Sequence, residues 1–153
     1  MEGADVSELD EFLDAILPRQ VEAETAMHNG DVEPRLEMWT RQDPVTLLGV
    51  AGVAASGTSD VSDVSRWAAS RFADCTAYSF ELIAAGVSGD LAYTVGYEHS
   101  TRSIDGNPRT EGTVRVTHVY RREDGEWKIV HRHGDGLGTE PLVSVKAGRS
   151  EPG

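Results

Sequence analysis

The chain is poor in cysteine, in basic residues and in long apolar runs, and each shortage excludes a class of protein. Cys75 is the only cysteine among 153 residues, so an internal disulfide is impossible and a reducing, cytoplasmic location is predicted. The sequence contains only 14 Lys and Arg but 26 Asp and Glu. The resulting net charge of -12 argues against binding to nucleic-acid phosphates. No apolar run approaches the roughly 20 residues of a membrane helix. The acidic start, Met1–Glu8, also lacks the pattern of a secretory signal.

Helical patterns occupy the N-terminal half of the chain. Ser7 and Asp10 form a capping pair ahead of an apolar stripe at helical spacing. Pro18 interrupts this stripe, and a kink or a new helix is expected there, because proline cannot donate a backbone hydrogen bond. The patterns predict a first helix from Ser7 to Asn29-Gly30, a second from Asp31 through Trp39, and a third that begins at Ser59 or Asp60 and contains Phe72.

The segment between the second and third helices is rich in turn-forming residues. Asp43-Pro44 predicts a turn, and Val45–Leu48 predicts a short strand. Gly49–Thr58 is dominated by Gly, Ala and Ser, so a mobile loop is expected there.

Beyond Cys75 the hydrophobic pattern changes from helical to alternating, which predicts four strands. Turn sequences at 88–90, 104–108 and 123–125 separate them, and the one containing Asp105-Gly106 is the strongest. Three helices followed by an antiparallel meander define the α+β fold class. We expect one domain over residues 1–135 and a flexible tail over residues 136–153.

Alternation along a strand places every second side chain on one face. The last strand has an aromatic, an aliphatic, two imidazoles and a carboxylate on one face, which is an unusual set to bury. We expect the following alternating sets to face a cavity: Tyr93, Val95, Tyr97 and His99; Val116, His118 and Tyr120; Trp127, Ile129, His131, His133 and Asp135.

Asp135 is the predicted general base, because a partly buried carboxylate with a raised pKa can remove a proton next to a carbonyl. His118 and His133 are its predicted partners or hydrogen-bond donors to a developing oxyanion. Alternatives remain open for these residues. Asp135 could cap a turn or face solvent, and each imidazole could bond a neighbour. His131 and His133 with a third histidine could also hold zinc, although neither a metal nor a cofactor is predicted.

Two segments carry a family resemblance. The helix ending His28-Asn29-Gly30-Asp31 and the hairpin Tyr120–His133 resemble the SnoaL-like and ketosteroid-isomerase-like branch of the nuclear transport factor 2-like superfamily, over roughly residues 8–135. The resemblance implies a cystatin-like α+β roll, in which a strongly curved, mainly antiparallel sheet forms a cone on three N-terminal helices. It also implies a cavity for a small apolar molecule and a homodimer, for which the outer sheet face is the expected interface.

The three catalytic positions of ketosteroid isomerase differ in this chain, where they fall near Ala23, Leu48 or Gly49, and His118. Steroid isomerisation is therefore not expected. The SnoaL-type cyclases resemble the chain better, with Asp135 and His118 or His133 in their acid–base positions. The substrate-contacting residues would be His99, His131, Tyr93, Tyr97, Tyr120, Val116 and Ile129.

Two functions are consistent with this resemblance. The leading hypothesis is a cofactor-independent isomerase, cyclase or dehydratase that acts on a polyketide- or terpenoid-like carbonyl compound by proton transfer. The alternative is a non-catalytic module of the same fold that binds a small ligand or mediates an interaction.

Overall fold

The computed structural model describes residues 7–137 and confirms the α+β class, with three helices ahead of a long meander. None of the helices in this range is long and apolar enough to cross a membrane. The tail predicted for 136–153 lies, beyond Leu137, outside the described residues. The elements are α1 (Glu8–Met27), α2 (Glu33–Met38), β1 (Thr46–Leu48), β2 (Ala54–Ser56), α3 (Thr58–Ser70), β3 (Phe72–Ser88), β4 (Leu91–Ile104), β5 (Thr110–Glu123) and β6 (Glu126–Gly136).

The six strands form one sheet in the order β2-β1-β6-β5-β4-β3. Neighbouring strands are antiparallel except β1 and β6, which run parallel. The helix α1 packs on the inner face of this sheet. Its Phe12 is fully buried, and the Phe12 ring centroid lies 5.1 Å from those of Tyr120 and Trp127, both in edge-to-face geometry.

The helix α1 begins as predicted, because the Ser7 Oγ accepts the backbone N–H of Asp10 at 3.0 Å. The helix then runs without a break through Pro18, which differs from the expected kink or restart. Pro18 deprives the Asp14 carbonyl of its helical donor. Both residues lie on the exposed side of the helix, so water can bond that carbonyl instead.

The segment 49–58, expected to be a loop, instead contains a 3₁₀ turn and the strand β2. Backbone bonds from Gly49 N–H to the Val53 carbonyl (2.8 Å) and from Gly57 N–H to the Val45 carbonyl (2.9 Å) hold this hairpin together. Small residues are compatible with the tight β1–β2 pairing, in which Leu47 and Ala55 are buried partners.

The pairing of β5 with β6 is interrupted by a β-bulge at Val130. Tyr120 pairs with Ile129 and Val119 pairs with His131, so Val130 has no partner on β5. One extra residue reverses the alternation of faces along the rest of the strand. Side chains that follow Val130 therefore point to the face opposite to the one that simple alternation predicts.

Candidate functional site

A cavity of about 230 Å³ lies between the three helices and the inner face of the sheet. Its walls are largely apolar, and its polar part includes two carboxylates and two guanidinium groups that are buried. The apolar wall includes Leu47, Val53, Val64, Trp67, Phe72 and Val114, and the buried charged groups are Glu24, Arg35, Glu98 and Arg132.

Glu98 and Arg132 form a bidentate ion pair. The Arg132 Nη2 donates to Glu98 Oε1 at 2.8 Å, and Nη1 donates to Oε2 at 3.1 Å. The Tyr78 hydroxyl also donates to Glu98 Oε2, at 2.8 Å. Burial by itself would raise the pKa of Glu98, but Arg132 outweighs burial and holds that pKa well below its usual range. Glu98 is therefore ionised, with both oxygens occupied by protein donors.

Glu24 and Arg35 form a second pair that is less complete. The Arg35 Nε lies 3.0 Å from Glu24 Oε2, yet its geometry falls short of a hydrogen bond. Glu24 Oε1 has no hydrogen-bond partner among residues 7–137. Burial lowers the pKa of Arg35, while Glu24 opposes that shift. This pair thus contains a carboxylate oxygen and a guanidinium nitrogen that have no hydrogen-bond partner among residues 7–137, and both residues line the cavity.

His118 is buried beside Arg132, and its Nε2 lies 3.1 Å from the Arg132 Nη1. Because an arginine can only donate, His118 Nε2 is the acceptor and the ring proton resides on Nδ1. Burial lowers the pKa of His118 well below its usual range, and the charge of Arg132 adds to this shift. His118 is therefore a neutral imidazole that supports Arg132.

Four of the predicted site residues lie on the inner face, as alternation predicted, and are buried: Val116, His118, Tyr120 and Ile129. Tyr120 and Ile129 belong to the main hydrophobic core, and none of the four is among the residues that line the cavity.

The prediction that Tyr93, Tyr97 and His99 face this cavity is wrong. The inward positions of β4 are the alternate ones, at Thr94, Gly96 and Glu98, and the aromatic set lies on the outer face. Small residues suit the inward positions because the neighbouring strand approaches closely: a Cβ at Gly96 would overlap the Phe80 ring and the Glu81 carbonyl oxygen.

The placement predicted for His131, His133 and Asp135 is also wrong, because the bulge at Val130 turns them to the outer face. His131 Nδ1 is 2.7 Å from the Thr46 hydroxyl. Asp135 is 48% exposed and accepts two hydrogen bonds from Arg115, at 2.7 and 2.8 Å. Arg115 lowers the pKa of Asp135, so this carboxylate is ionised and solvated rather than poised as a base.

The outer face has its own shallow groove of about 220 Å³, which brings together Tyr97, Arg115, His133 and Asp135 with Ile83 and Val95. It does not include His118, so the predicted catalytic set is divided between two faces of the sheet. Among residues 7–137, no three His, Cys, Asp or Glu side chains are placed so that they could hold a metal ion.

Sequence reasoning missed Glu24, Arg35, Glu98 and Arg132. A usable signal was present for Glu98, a carboxylate in the middle of a long strand at the same parity as Thr94 and Gly96. Glu24 follows Gln20 by one helical turn on the buried side of α1. Arg132 could not be found by alternation, because its inward position depends on the bulge.

The curved, mainly antiparallel sheet closed by three helices, with a polar patch inside an apolar cavity, defines the cystatin-like α+β roll. The sequence profile of the SnoaL-like domain matches residues 21–134, and the chain belongs to this family. No curated protein matches the chain in sequence.

Solved structures of low sequence identity share the fold. A ketosteroid isomerase-like protein from Erwinia carotovora atroseptica has 19% identity and a TM-score of 0.67, over 84% of this chain and 98% of that one. A candidate dehydratase of the nuclear transport factor 2-like family from Streptomyces avermitilis has 22% identity and a TM-score of 0.62, over 82% and 99%. A candidate Ca/calmodulin-dependent kinase II association domain from Exiguobacterium sibiricum has 13% identity and a TM-score of 0.65, over 90% and 100%.

Proposed function

We propose that this protein is a cofactor-independent enzyme that moves a proton on a small, largely apolar carbonyl compound, of polyketide or terpenoid type, held in the inner cavity. The observation that carries this proposal is the contrast between the two buried carboxylates. Both Glu98 oxygens are occupied by protein donors, whereas Glu24 lines the cavity and its Oε1 has no partner among the described residues. An unoccupied, buried carboxylate oxygen is what a general base requires.

In this proposal Glu24 removes a proton from the carbon next to the carbonyl. The electron pair moves onto the carbonyl oxygen, and Arg35 stabilises the resulting enolate by donating hydrogen bonds. The protonated Glu24 then returns the proton to another carbon, which gives isomerisation, or to a departing hydroxyl group, which gives dehydration. Glu98, Arg132 and His118 act as positioning residues, because their hydrogen bonds are made to one another.

The family supports this class of chemistry, since two of the similar structures are named for an isomerase-like and a dehydratase activity. The acid–base role predicted for Asp135 and His133 is reassigned to Glu24, because those two residues lie on the outer face. His118 retains a supporting role through Arg132.

Replacing Glu24 with glutamine is expected to slow proton exchange at the carbon next to the carbonyl by about 100-fold or more, the typical contribution of a general base. The measurement is deuterium incorporation from solvent into a small cyclic ketone such as tetralone, followed by NMR. Glutamine keeps the shape of the side chain and an acceptor for Arg35. Glu24→Asp, which retains the charge but withdraws the carboxylate by one methylene, should also be slow and shows whether position matters.

Asp135→Asn is the matched control, because it removes a carboxylate that lies on the outer face. Its exchange rate should equal that of the wild type. Loss of exchange in Asp135→Asn with retention in Glu24→Gln would refute the assignment. If the wild type binds the ketone without accelerating exchange, the chain is better described as a ligand-binding module, the alternative that the association domain among its structural neighbours illustrates.

We also propose that two copies associate through the outer sheet face. That face exposes large apolar side chains, with Ile83 at 56%, Leu91 at 53% and Tyr93 at 43%, beside the Arg115–Asp135 and Glu81–His99 pairs. Such a mixture of apolar and oppositely charged groups is suited to a self-complementary twofold interface.

Tyr93→Glu is expected to convert a dimer of twice the 16.5 kDa chain mass into a monomer, measured by light scattering after size-exclusion chromatography. A charge at the centre of an apolar contact would have to be buried without a partner. Val21→Glu, which changes a comparably exposed residue on α1, should leave the mass unchanged. A monomeric wild type would contradict the proposal.

A further inference from the structure

We propose that the ligand of the inner cavity carries a carboxylate, and that Arg102 binds this group while the apolar wall binds the rest of the molecule. The inference rests on the proposed function in that it concerns the same cavity, and it adds the chemical class of the substrate: a small carboxylic acid with an apolar body.

Four arginines line the cavity, and three of them are neutralised by a carboxylate. Arg35 pairs with Glu24, and Arg132 pairs with Glu98. Arg71 pairs with Asp105 through three hydrogen bonds of 3.0, 3.3 and 2.9 Å. The fourth is Arg102, which forms no ion pair with any residue between 7 and 137. The cavity therefore carries one uncompensated positive charge in a chain whose net charge is -12.

Arg102 is held in a defined place. Its Nη1 donates to the Thr110 carbonyl at 3.0 Å, and its guanidinium lies directly over Gly112 on β5. A Cβ at Gly112 would overlap the guanidinium, so the glycine makes room for it. The Arg102 Nε is buried and has no partner within the described part of the chain.

Holding an unpaired guanidinium in a partly buried position is unfavourable without an anion. Burial lowers the pKa of Arg102, and the Cys75 thiol opposes this shift. A ligand carboxylate would supply the missing negative charge and accept hydrogen bonds in the planar geometry that guanidinium groups favour.

The surroundings of Arg102 indicate what the rest of the ligand is like. Phe72, Ile104 and Val114 line the cavity together with Arg102. The other polar residues of β4 in the lining are Glu98 and Ser100. A molecule with its carboxylate on Arg102 would place an apolar body along this wall and a second polar group toward Glu24 and Arg35. That arrangement fits an acid with a carbonyl group further along its skeleton.

The test compares acids with their isosteric, uncharged amides, using octanoate against octanamide and naphthylacetate against naphthylacetamide, by titration calorimetry at neutral pH. We expect the wild type to bind at least one acid about 10-fold or more tighter than its amide, the effect of a charge-assisted hydrogen bond. Arg102→Gln should abolish this preference while changing amide affinity by less than about 2-fold. Arg102→Lys, which keeps the charge, should retain part of it.

Arg109→Gln is the matched control, since it removes an exposed positive charge from the same β4–β5 hairpin and should leave the preference intact. Gly112→Ala displaces the guanidinium without altering charge, and it should weaken acid binding even if Arg102→Gln fails to fold. Equal affinity for acid and amide in both pairs, absence of binding by all four probes, or a preference that survives in Arg102→Gln and Gly112→Ala would overturn the proposal.

These outcomes are separable from those of the proton-transfer proposal. Uncharged ketones that exchange protons in a Glu24-dependent manner, with no preference for acids, would refute only the role of Arg102. Acids that bind in an Arg102-dependent manner, while Glu24→Gln leaves exchange unchanged, would refute only the catalytic role of Glu24.

Discussion

Replacing Arg132 with methionine is expected to lower the free energy of unfolding by about 3–5 kcal/mol, because the substitution leaves Glu98 as a buried charge without its partner. Glu98 has a side-chain exposure of only 4%, and Arg132 supplies two of the three hydrogen bonds to its carboxylate. His118 would lose the donor to its Nε2 at the same time. The measurement is urea unfolding followed by circular dichroism at neutral pH.

Two further variants distinguish the cost of burying the unpaired Glu98 charge from the cost of losing an ion-pair contact. Arg115→Met removes one partner of the exposed Arg115–Asp135 pair on the outer face and should lower the stability far less than Arg132→Met does, because exposed ion pairs contribute little. The double variant Glu98→Gln/Arg132→Met removes both charges and should recover a large part of the loss. Arg132→Met within about 1 kcal/mol of the wild type would show that this ion pair is not a main determinant of stability.

The sequence was sufficient to predict three helices and the meander, because capping residues, periodicity and turn residues are local signals. The end of the third helix was wrong, since Phe72, expected on that helix, begins β3. Ser7 caps α1 as expected, and Asp105-Gly106 lies in the turn between β4 and β5. The order of elements also supports the family, which the profile match over 21–134 confirms. Pro18 shows where the rule that proline interrupts a helix fails. The lost hydrogen bond lies on the exposed side of α1, and the helix continues through it.

The candidate site was less predictable, because the face to which a strand residue points depends on register. On β4 both alternating sets contain residues that can be buried. The set with Tyr93 and Tyr97 lies on the outer face of the sheet. On β6 a single unpaired residue, Val130, reverses the alternation of faces. Arg132 therefore lies on the inner face, and His133 and Asp135 lie on the outer face. No pattern in the sequence of β6 alone reveals such a bulge. The charged groups of the cavity thus become apparent only when the strands are paired.

The stability of the protein is expected to decrease below pH 6.5 through His118. The folded chain keeps this imidazole neutral, because burial and the neighbouring Arg132 lower its pKa well below 6.5. The unfolded chain takes up a proton near pH 6.5 and the folded chain does not, so the stability contributed by His118 is present above that pH and is lost as the pH falls toward the folded pKa. The limiting slope of this loss is about 1.4 kcal/mol per pH unit.

The contribution of His118 is obtained by comparing the free energy of unfolding of the wild type and of His118→Gln at each pH. Glutamine can accept the hydrogen bond from Arg132 through its carbonyl oxygen but does not titrate, so the variant should lose less stability than the wild type between pH 6.5 and pH 5. His131, whose pKa is lowered by partial burial, contributes equally to both chains and cancels in the difference. Parallel curves for the wild type and His118→Gln would mean that His118 accepts a proton in the folded chain, and the neutral imidazole inferred from its contact with Arg132 would then be wrong.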